Sequence, residues 1–148
     1  MPAFSRTLEV NAPQSQVFSL VDDIDRTPEW LSRCTRIDKL DQGPNTVGTK
    51  LKYHYQDGKR TGQMDGHITV HEPNEHVAMR YTDKMMEVTV DFVAAPGTTD
   101  GLTSLTHTID IRTKAFGRLF GPVIKRTLPK QTIDAMDRLK AIAEAEAR

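Results

Sequence analysis

The chain has 148 residues, enough for one domain that buries about 68–70% of its extended surface. Lys and Arg together number 20, as do Asp and Glu, so no net charge attracts the protein to nucleic acid. The single cysteine, Cys34, excludes an internal disulfide and any metal site with several cysteine ligands. Because no run approaches ~18 apolar residues and residues 1–10 lack the apolar core of a secretory signal, we expect one cytoplasmic domain spanning residues 1–148.

The N-terminal region predicts a strand followed by two short helices. Phe4, Leu8 and Val10 are separated by even numbers of residues, as along one face of a strand. Pro13 suits the first turn of a helix, where its missing N–H costs nothing. A second helix is expected to begin at Thr27, with that threonine as its N-cap.

From residue 35 onward, apolar and polar residues alternate with a period of two, which predicts a run of antiparallel strands. Asp57-Gly58 predicts a tight hairpin turn, because glycine adopts positive φ at low cost. The apolar face is expected to point toward a helix and comprises Tyr53, Tyr55, Met64, Met79, Tyr81, Val88, Val90 and Phe92. The opposite face is expected to meet solvent and includes Lys52, His54, Asp65, His67, His71 and Asp91.

The last third of the sequence predicts an amphipathic helix that starts near residue 116 or 121. Ile124 and Leu128 begin an apolar stripe with a spacing of about 100° per residue. Pro129 interrupts this stripe, and a proline inside a helix costs roughly 3 kcal/mol unless a kink accommodates it. We therefore expect either a bend near residues 127–130 or a break between two helices.

Several short motifs fall at the element boundaries of a known family. They are Val10-Asn11-Ala12-Pro13 before Val17-Phe18, Asp25 to Pro28-Glu29-Trp30, Val47-Gly48-Thr49, Val70-His71-Glu72-Pro73, and Ala135-Met136-Asp137-Arg138-Leu139-Lys140. With these motifs the whole chain resembles the START-like superfamily, also called the SRPBCC or helix-grip group, and within it the polyketide cyclase/dehydrase-like branch. The resemblance implies an α+β helix-grip fold: a curved antiparallel sheet of six to seven strands around a long C-terminal helix, with two short helices after strand 1.

The resemblance also implies a cavity between the sheet and the C-terminal helix that binds a small hydrophobic or amphipathic ligand, similar to a lipid or a polyketide. Aromatic rings and adaptable methionine side chains suit an apolar ligand, and tyrosine hydroxyls can orient it. The candidate ligand-binding residues are Trp30, Tyr53, Tyr55, Met64, Met79, Tyr81, Val90, Phe92, His107, Ile124 and Leu128.

His107 is the one histidine predicted to face inward. It interrupts an apolar face that includes Leu105 and Ile109, where a histidine is either a hydrogen-bonded core residue or a group that contacts a ligand oxygen or moves a proton. We assign no catalytic residue, because no nucleophile accompanies it at a recognisable spacing. Two alternative functions stay open: a cyclase/dehydratase-like enzyme that uses His107 and an inward tyrosine, and a protein that engages a partner or a membrane.

We expect neither a metal site nor a cofactor. His67 and His71 are four residues apart on a strand, about 13 Å, which is too far for one ion. Asp65, the third candidate ligand, is expected to pair with Lys50 or Lys52 across the hairpin. The glycines are scattered as turn residues and form no phosphate-binding loop.

A basic segment opens the last third of the chain. Its cations and the apolar residues between them are Phe116, Arg118, Leu119, Phe120, Val123, Lys125, Arg126 and Lys130. Such a segment can contact an anionic membrane surface, or it can pack its apolar side on the sheet and leave a solvated basic rim. We favour the packed helix.

Overall fold

The computed structural model describes residues 3–115, 119 and 121–148, and only the backbone of Asp57. The strands are β1 Ala3–Val10, β2 Cys34–Lys39, β3 Lys50–Asp57, β4 Arg60–Glu72, β5 His76–Thr82, β6 Met86–Pro96 and β7 Thr103–Thr113. The helices are α1 Gln14–Asp22, α2 Thr27–Trp30 and α3 Gly121–Glu146, and a 3₁₀ turn at Ile24–Arg26 precedes α2.

In the described part of the chain, the seven strands form one antiparallel sheet in the order β1-β7-β6-β5-β4-β3-β2. The first strand therefore pairs with the last, and β2 is the other edge. Helix α1 contacts β5, β6 and β7, helix α2 contacts β2, and α3 contacts β1 and β7. This arrangement confirms the predicted helix-grip fold, with two short helices after the first strand and a long helix at the C-terminal end.

The register of the β3–β4 hairpin follows the predicted alternation. Tyr53 lies opposite Met64 on the inner face, so the two residues share that face. Lys52 lies opposite Asp65 on the outer face, where the lysine Nζ is 3.3 Å from a carboxylate oxygen. Along the rest of the sheet, Met79, Tyr81 and Phe92 are buried on the inner face, and the exposed His67 is on the outer face.

Two further outer-face predictions also hold. The His54 ring is half-buried there and lies 2.9 Å from an Asp38 carboxylate oxygen. Asp91 is likewise half-buried, and its carboxylate is 2.7 Å from Nε2 of His76.

The prediction that His71 faces solvent is wrong. The register of β4 against β5 shifts between Ile68, which lies opposite Met79, and Val70, which lies opposite Ala78. The extra residue of this β-bulge inverts the alternation, because side chains alternate with a period of two. His71 consequently faces α1, where its Nε2 is 3.0 Å from an Asp22 carboxylate oxygen.

Helix α3 continues from Gly121 to Glu146 with Pro129 inside it, so a break between two helices is excluded. Two threonine hydroxyls donate to carbonyls one turn back in this region: Thr127 to Val123 at 3.0 Å and Thr132 to Leu128 at 2.9 Å.

The expected N-cap at Thr27 is also wrong. The 3₁₀ turn runs directly into α2, so Thr27 is the first helical residue. Arg26 occupies the cap position and makes no side-chain hydrogen bond to the helix start.

The second half of α3 is held to the rest of the domain by polar contacts. Arg6 on β1 donates to the carbonyl of Ile133 at 3.0 Å and forms an ion pair with Asp137 at 3.0 Å. The backbone N–H of Asn11 donates to a Glu144 carboxylate oxygen at 2.7 Å. The Arg26 guanidinium contacts the carboxylates of Glu29 and Glu146 and so joins α2 to the end of α3. These contacts join the second half of α3 to β1, to the loop that follows it and to α2.

Candidate functional site

A partly open cavity of about 120 Å³ lies between the inner face of the sheet and helices α2 and α3. Its wall is predominantly apolar. The described lining residues are Thr27, Trp30, Leu31, Arg33, Ile37, Tyr53, Tyr55, Met64, Met79, Tyr81, Met86, Val88, Val90, Phe92, His107, Ile109, Ile111, Leu128, Gln131, Thr132 and Ala135.

Ten of the eleven candidate ligand-binding residues lie on this wall. They are Trp30, Tyr53, Tyr55, Met64, Met79, Tyr81, Val90, Phe92, His107 and Leu128. The exception is Ile124, which is half-buried on α3 and does not belong to the described lining. It lies one helical turn before Leu128, about 6 Å along the axis, and so falls beyond the edge of the cavity.

Two glycines on β4 make room for tyrosine rings. Tyr55 lies opposite Gly62 and Tyr81 lies opposite Gly66, and each ring occupies space that a Cβ on the facing glycine would fill. A tyrosine ring that packs flat on a glycine leaves open volume on its other side. A larger residue in place of the glycine would push the ring into the cavity. The glycines therefore help to determine the shape of the cavity.

Three aromatic rings of the cavity wall contact one another. Trp30 meets Phe92 edge-on, with centroids 5.5 Å apart and planes at 85°. His107, on the neighbouring strand, lies almost parallel to the same phenylalanine, with centroids 4.2 Å apart and planes at 8°. Helix α2 and strands β6 and β7 thus meet through aromatic contacts, which hold these rings in fixed orientations.

His107 is buried and neutral at pH 7. Nδ1 lies 3.2 Å from the carbonyl oxygen of Asp91, so this nitrogen carries the proton that it donates, and Nε2 keeps a lone pair. Burial disfavours the charged imidazolium and lowers the pKa of His107 from its ordinary 6.5 to about 4, against a smaller opposing effect of the Asp91 hydrogen bond. Such a ring can accept a hydrogen bond but is a weak base.

Two buried donors on the cavity wall have no hydrogen-bond partner among the described residues. They are Nε1 of Trp30 and the hydroxyl of Tyr81. An indole N–H can only donate, and burial raises the pKa of Tyr81 well above its ordinary value of 10, so this hydroxyl keeps its proton. Buried polar groups in proteins almost always find a partner. Both atoms are fully covered by protein in this structure, so an acceptor oxygen of an occupant would reach them only if neighbouring side chains move.

Tyr81 and His107 are too far apart to hydrogen-bond each other. Tyr81 pairs with Val88, which in turn pairs with Ile111 on β7. Ile111 is four residues from His107, which is about 13 Å along the strand. A ligand would therefore meet the two side chains with different atoms.

Arg33 links β2 to α3 at the edge of the cavity. Its Nη1 donates to Oε1 of Gln131 at 3.2 Å, and its guanidinium lies 5.7 Å from the ring centre of Tyr55. Sequence reasoning missed Arg33 and Gln131, because a single polar residue at an element boundary carries no periodic signal. It also left out Met86, although the alternation along β6 predicts that this side chain faces inward.

The structure supplies no metal cluster: in the residues it describes, no three His, Cys, Asp or Glu side chains are close enough to hold an ion. None of the helices in the described ranges is long and apolar enough to cross a membrane.

The fold and the cavity together define a START-like protein with an internal site for a ligand. The family described as "Polyketide cyclase / dehydrase and lipid transport" matches residues 1–144, and the chain belongs to it. A comparison with curated proteins finds no match.

Solved structures share this fold at low sequence identity. The Zhui aromatase/cyclase from Streptomyces sp. R1128 is 14% identical with a TM-score of 0.82, and the alignment covers 99% of this chain and 95% of that one. A START superfamily protein from Mycobacterium smegmatis is 17% identical with a TM-score of 0.79, covering 97% of both chains. A Thermus thermophilus protein is 12% identical with a TM-score of 0.79, covering 99% of this chain and 100% of that one.

Proposed function

We propose that the protein binds a small hydrophobic or amphipathic ligand, similar to a lipid or a polyketide, in the cavity between the sheet and α3. The observation that carries this proposal is the mostly apolar cavity between the sheet and helices α2 and α3. An apolar ring would gain burial there. The buried donors Trp30 Nε1 and the Tyr81 hydroxyl belong to lining residues, and a ligand oxygen would reach them only after neighbouring side chains move. A cytoplasmic location is part of the proposal.

The cavity volume limits the size of the ligand. Pockets that hold drug-sized ligands are typically about 300–1,000 Å³, whereas an apolar cavity of about 150 Å³ holds a benzene ring. At about 120 Å³, this cavity accommodates one ring without rearrangement. A longer ligand requires side chains to move, and Met64, Met79 and Met86 on the wall are the flexible candidates.

A cyclase/dehydratase-like enzyme is the second candidate, because His107 and Tyr81 share the cavity and the chain resembles an aromatase/cyclase in fold. The pKa of His107, about 4, makes it a weak base at pH 7, and the tyrosine keeps its proton. This chemistry favours hydrogen bonding to a bound ligand over proton transfer, so binding is the leading proposal.

Native mass spectrometry of freshly purified protein tests the proposal. Val90→Phe places a phenyl ring in the cavity, and Val93→Phe places the same ring on the outer face of the same strand. We expect the wild type and Val93→Phe to carry the same co-purified small molecule and Val90→Phe to lose it. A molecule retained by a folded Val90→Phe, or the absence of binding when phenol, a single ring with one hydroxyl, is added to the wild type, would contradict the proposal.

A further inference from the structure

The charges of this chain are unevenly distributed. Asp and Glu balance Lys and Arg overall, at 20 each. Yet residues 111–133 contain no Asp or Glu, and their basic residues are Arg112, Lys114, Arg118, Lys125, Arg126 and Lys130. This segment is therefore strongly positive in a neutral protein, and it includes the first half of α3.

Two apolar residues at the start of α3 and just before it are largely exposed in the described structure. Leu119, just before the helix, is 87% exposed, and Val123 is 58% exposed. A helix packed on the sheet with only a basic rim in solvent would bury these side chains, so the packed-helix prediction is wrong for them. Phe116, Arg118 and Phe120, which belonged to the same prediction, lie outside the described residues.

Two cations lie on the face of α3 that carries Val123. Arg126 and Lys130 are exposed, and they follow Val123 at intervals of three and four residues, which places the three on one face. Lys125 is also exposed, but it is two residues from Val123 and three from Leu128, so it lies toward the other side of the helix. The opposite face of the same segment carries Leu128, which is buried and lines the cavity. One side of this half-helix thus borders the cavity, and the other presents cations and aliphatic side chains.

We propose that Leu119, Val123, Arg126 and Lys130, here called the α3 basic face, dock on the surface of an anionic lipid bilayer. Lys and Arg beside exposed aliphatic side chains suit this surface, because the cations pair with anionic headgroups while the apolar groups enter the boundary with the acyl chains. The acidic residues of α3, among them Asp134 and Asp137, begin where the basic face ends. This separation of charge along the helix would orient its first half toward the bilayer.

The docking proposal does not depend on the identity of a cavity ligand. It goes beyond the proposed function and can be tested on its own, because vesicle binding requires no ligand. If both hold, the cavity lies directly behind the docked half-helix.

Vesicle co-sedimentation tests the proposal on the full chain. The vesicles are phosphatidylcholine alone or with about 30 mol% phosphatidylserine. The charge variant is Arg126→Gln with Lys130→Gln, and its matched control removes the same charge elsewhere with Lys50→Gln and Arg148→Gln, both exposed residues. A second variant, Leu119→Ser with Val123→Ser, removes the apolar contribution and keeps every charge.

We expect the wild type and the control to bind the phosphatidylserine vesicles and to dissociate as NaCl is raised, because salt screens the headgroup charge. The charge variant should bind roughly 25-fold more weakly, from two cations that each contribute about fivefold near an anionic surface. The serine variant should bind about tenfold more weakly. Circular dichroism should show all variants folded, since the substituted residues are exposed.

Three outcomes would overturn the docking proposal. One is a wild type that does not bind phosphatidylserine vesicles. Another is a control that loses as much affinity as the charge variant. The third is binding of the α3 basic face to duplex DNA with no binding to vesicles.

Discussion

Acidification should destabilise the folded protein through His107, and replacing this histidine with leucine should remove that effect. The ring is buried against Phe92 and donates to the carbonyl of Asp91, with the pKa of His107 lowered to about 4 by burial. In the unfolded chain the same ring has its ordinary pKa of 6.5. Between these two values the unfolded chain binds a proton that the folded protein does not bind, so stability is lost as the pH falls through this window.

The magnitude follows from the two pKa values. At pH 7.5 the ring is neutral in both states, and the linkage is negligible. At pH 4.5 the ring is almost fully protonated in the unfolded chain and mostly neutral in the folded protein, which corresponds to about 2.5 kcal/mol of lost stability. Leucine conserves the volume approximately but breaks the hydrogen bond to Asp91, so His107→Leu should cost only about 1 kcal/mol at pH 7.5.

Urea denaturation of the wild type and of His107→Leu at both pH values measures this effect. Carboxylates also titrate in this range, so the informative quantity is the difference between the two proteins. The wild type should lose about 2.5 kcal/mol more stability than His107→Leu between the two pH values. The control is His67→Leu, which removes an exposed histidine from the outer face of the sheet. Equal pH dependence of the wild type and His107→Leu would show that His107 titrates alike in both states.

Two further predictions concern packing and reactivity. Gly66→Ala should cost about 1–3 kcal/mol of unfolding free energy, because its Cβ would lie 2.7 Å from the backbone oxygen of Arg80 and press on the buried Tyr81 ring. Gly121→Ala, with nothing within 4 Å of the new Cβ, is its control, and equal denaturation midpoints would refute the ring-on-glycine argument. Burial raises the pKa of Cys34 to about 12, so the thiol should stay unreactive toward a disulfide reagent at about pH 8 until urea unfolds the protein. Fast labelling of the native protein would contradict this burial.

The fold followed from the sequence because its main signals are periodic. Alternation with a period of two placed Tyr53 and Met64 on one face, and the structure pairs them directly. The alternation also places Gly66 on the same face as Met64. That the Tyr81 ring packs against this glycine depends on the pairing of β4 with β5, which the alternation does not give.

The features that sequence reasoning missed are not periodic. The β-bulge after Ile68 turns His71 inward, and no glycine or proline marks it. The contact between Arg33 and Gln131 joins residues far apart in the chain, each of which reads as an ordinary surface residue. Ile124 lies outside the described lining, since an apolar stripe predicts the face of a helix and does not show how far along that face a cavity extends.

Methyl NMR of the methionines tests the central claim, that the cavity binds an apolar ligand. Met64, Met79 and Met86 line the cavity, whereas Met136 is buried in the core and does not belong to the described lining. During a titration with phenol, a single ring with one hydroxyl, we expect saturable shifts of the three cavity methyl resonances, with Met136 much less affected. If the three cavity methyl resonances stay in place while phenol binds elsewhere or not at all, the cavity is not a ligand site.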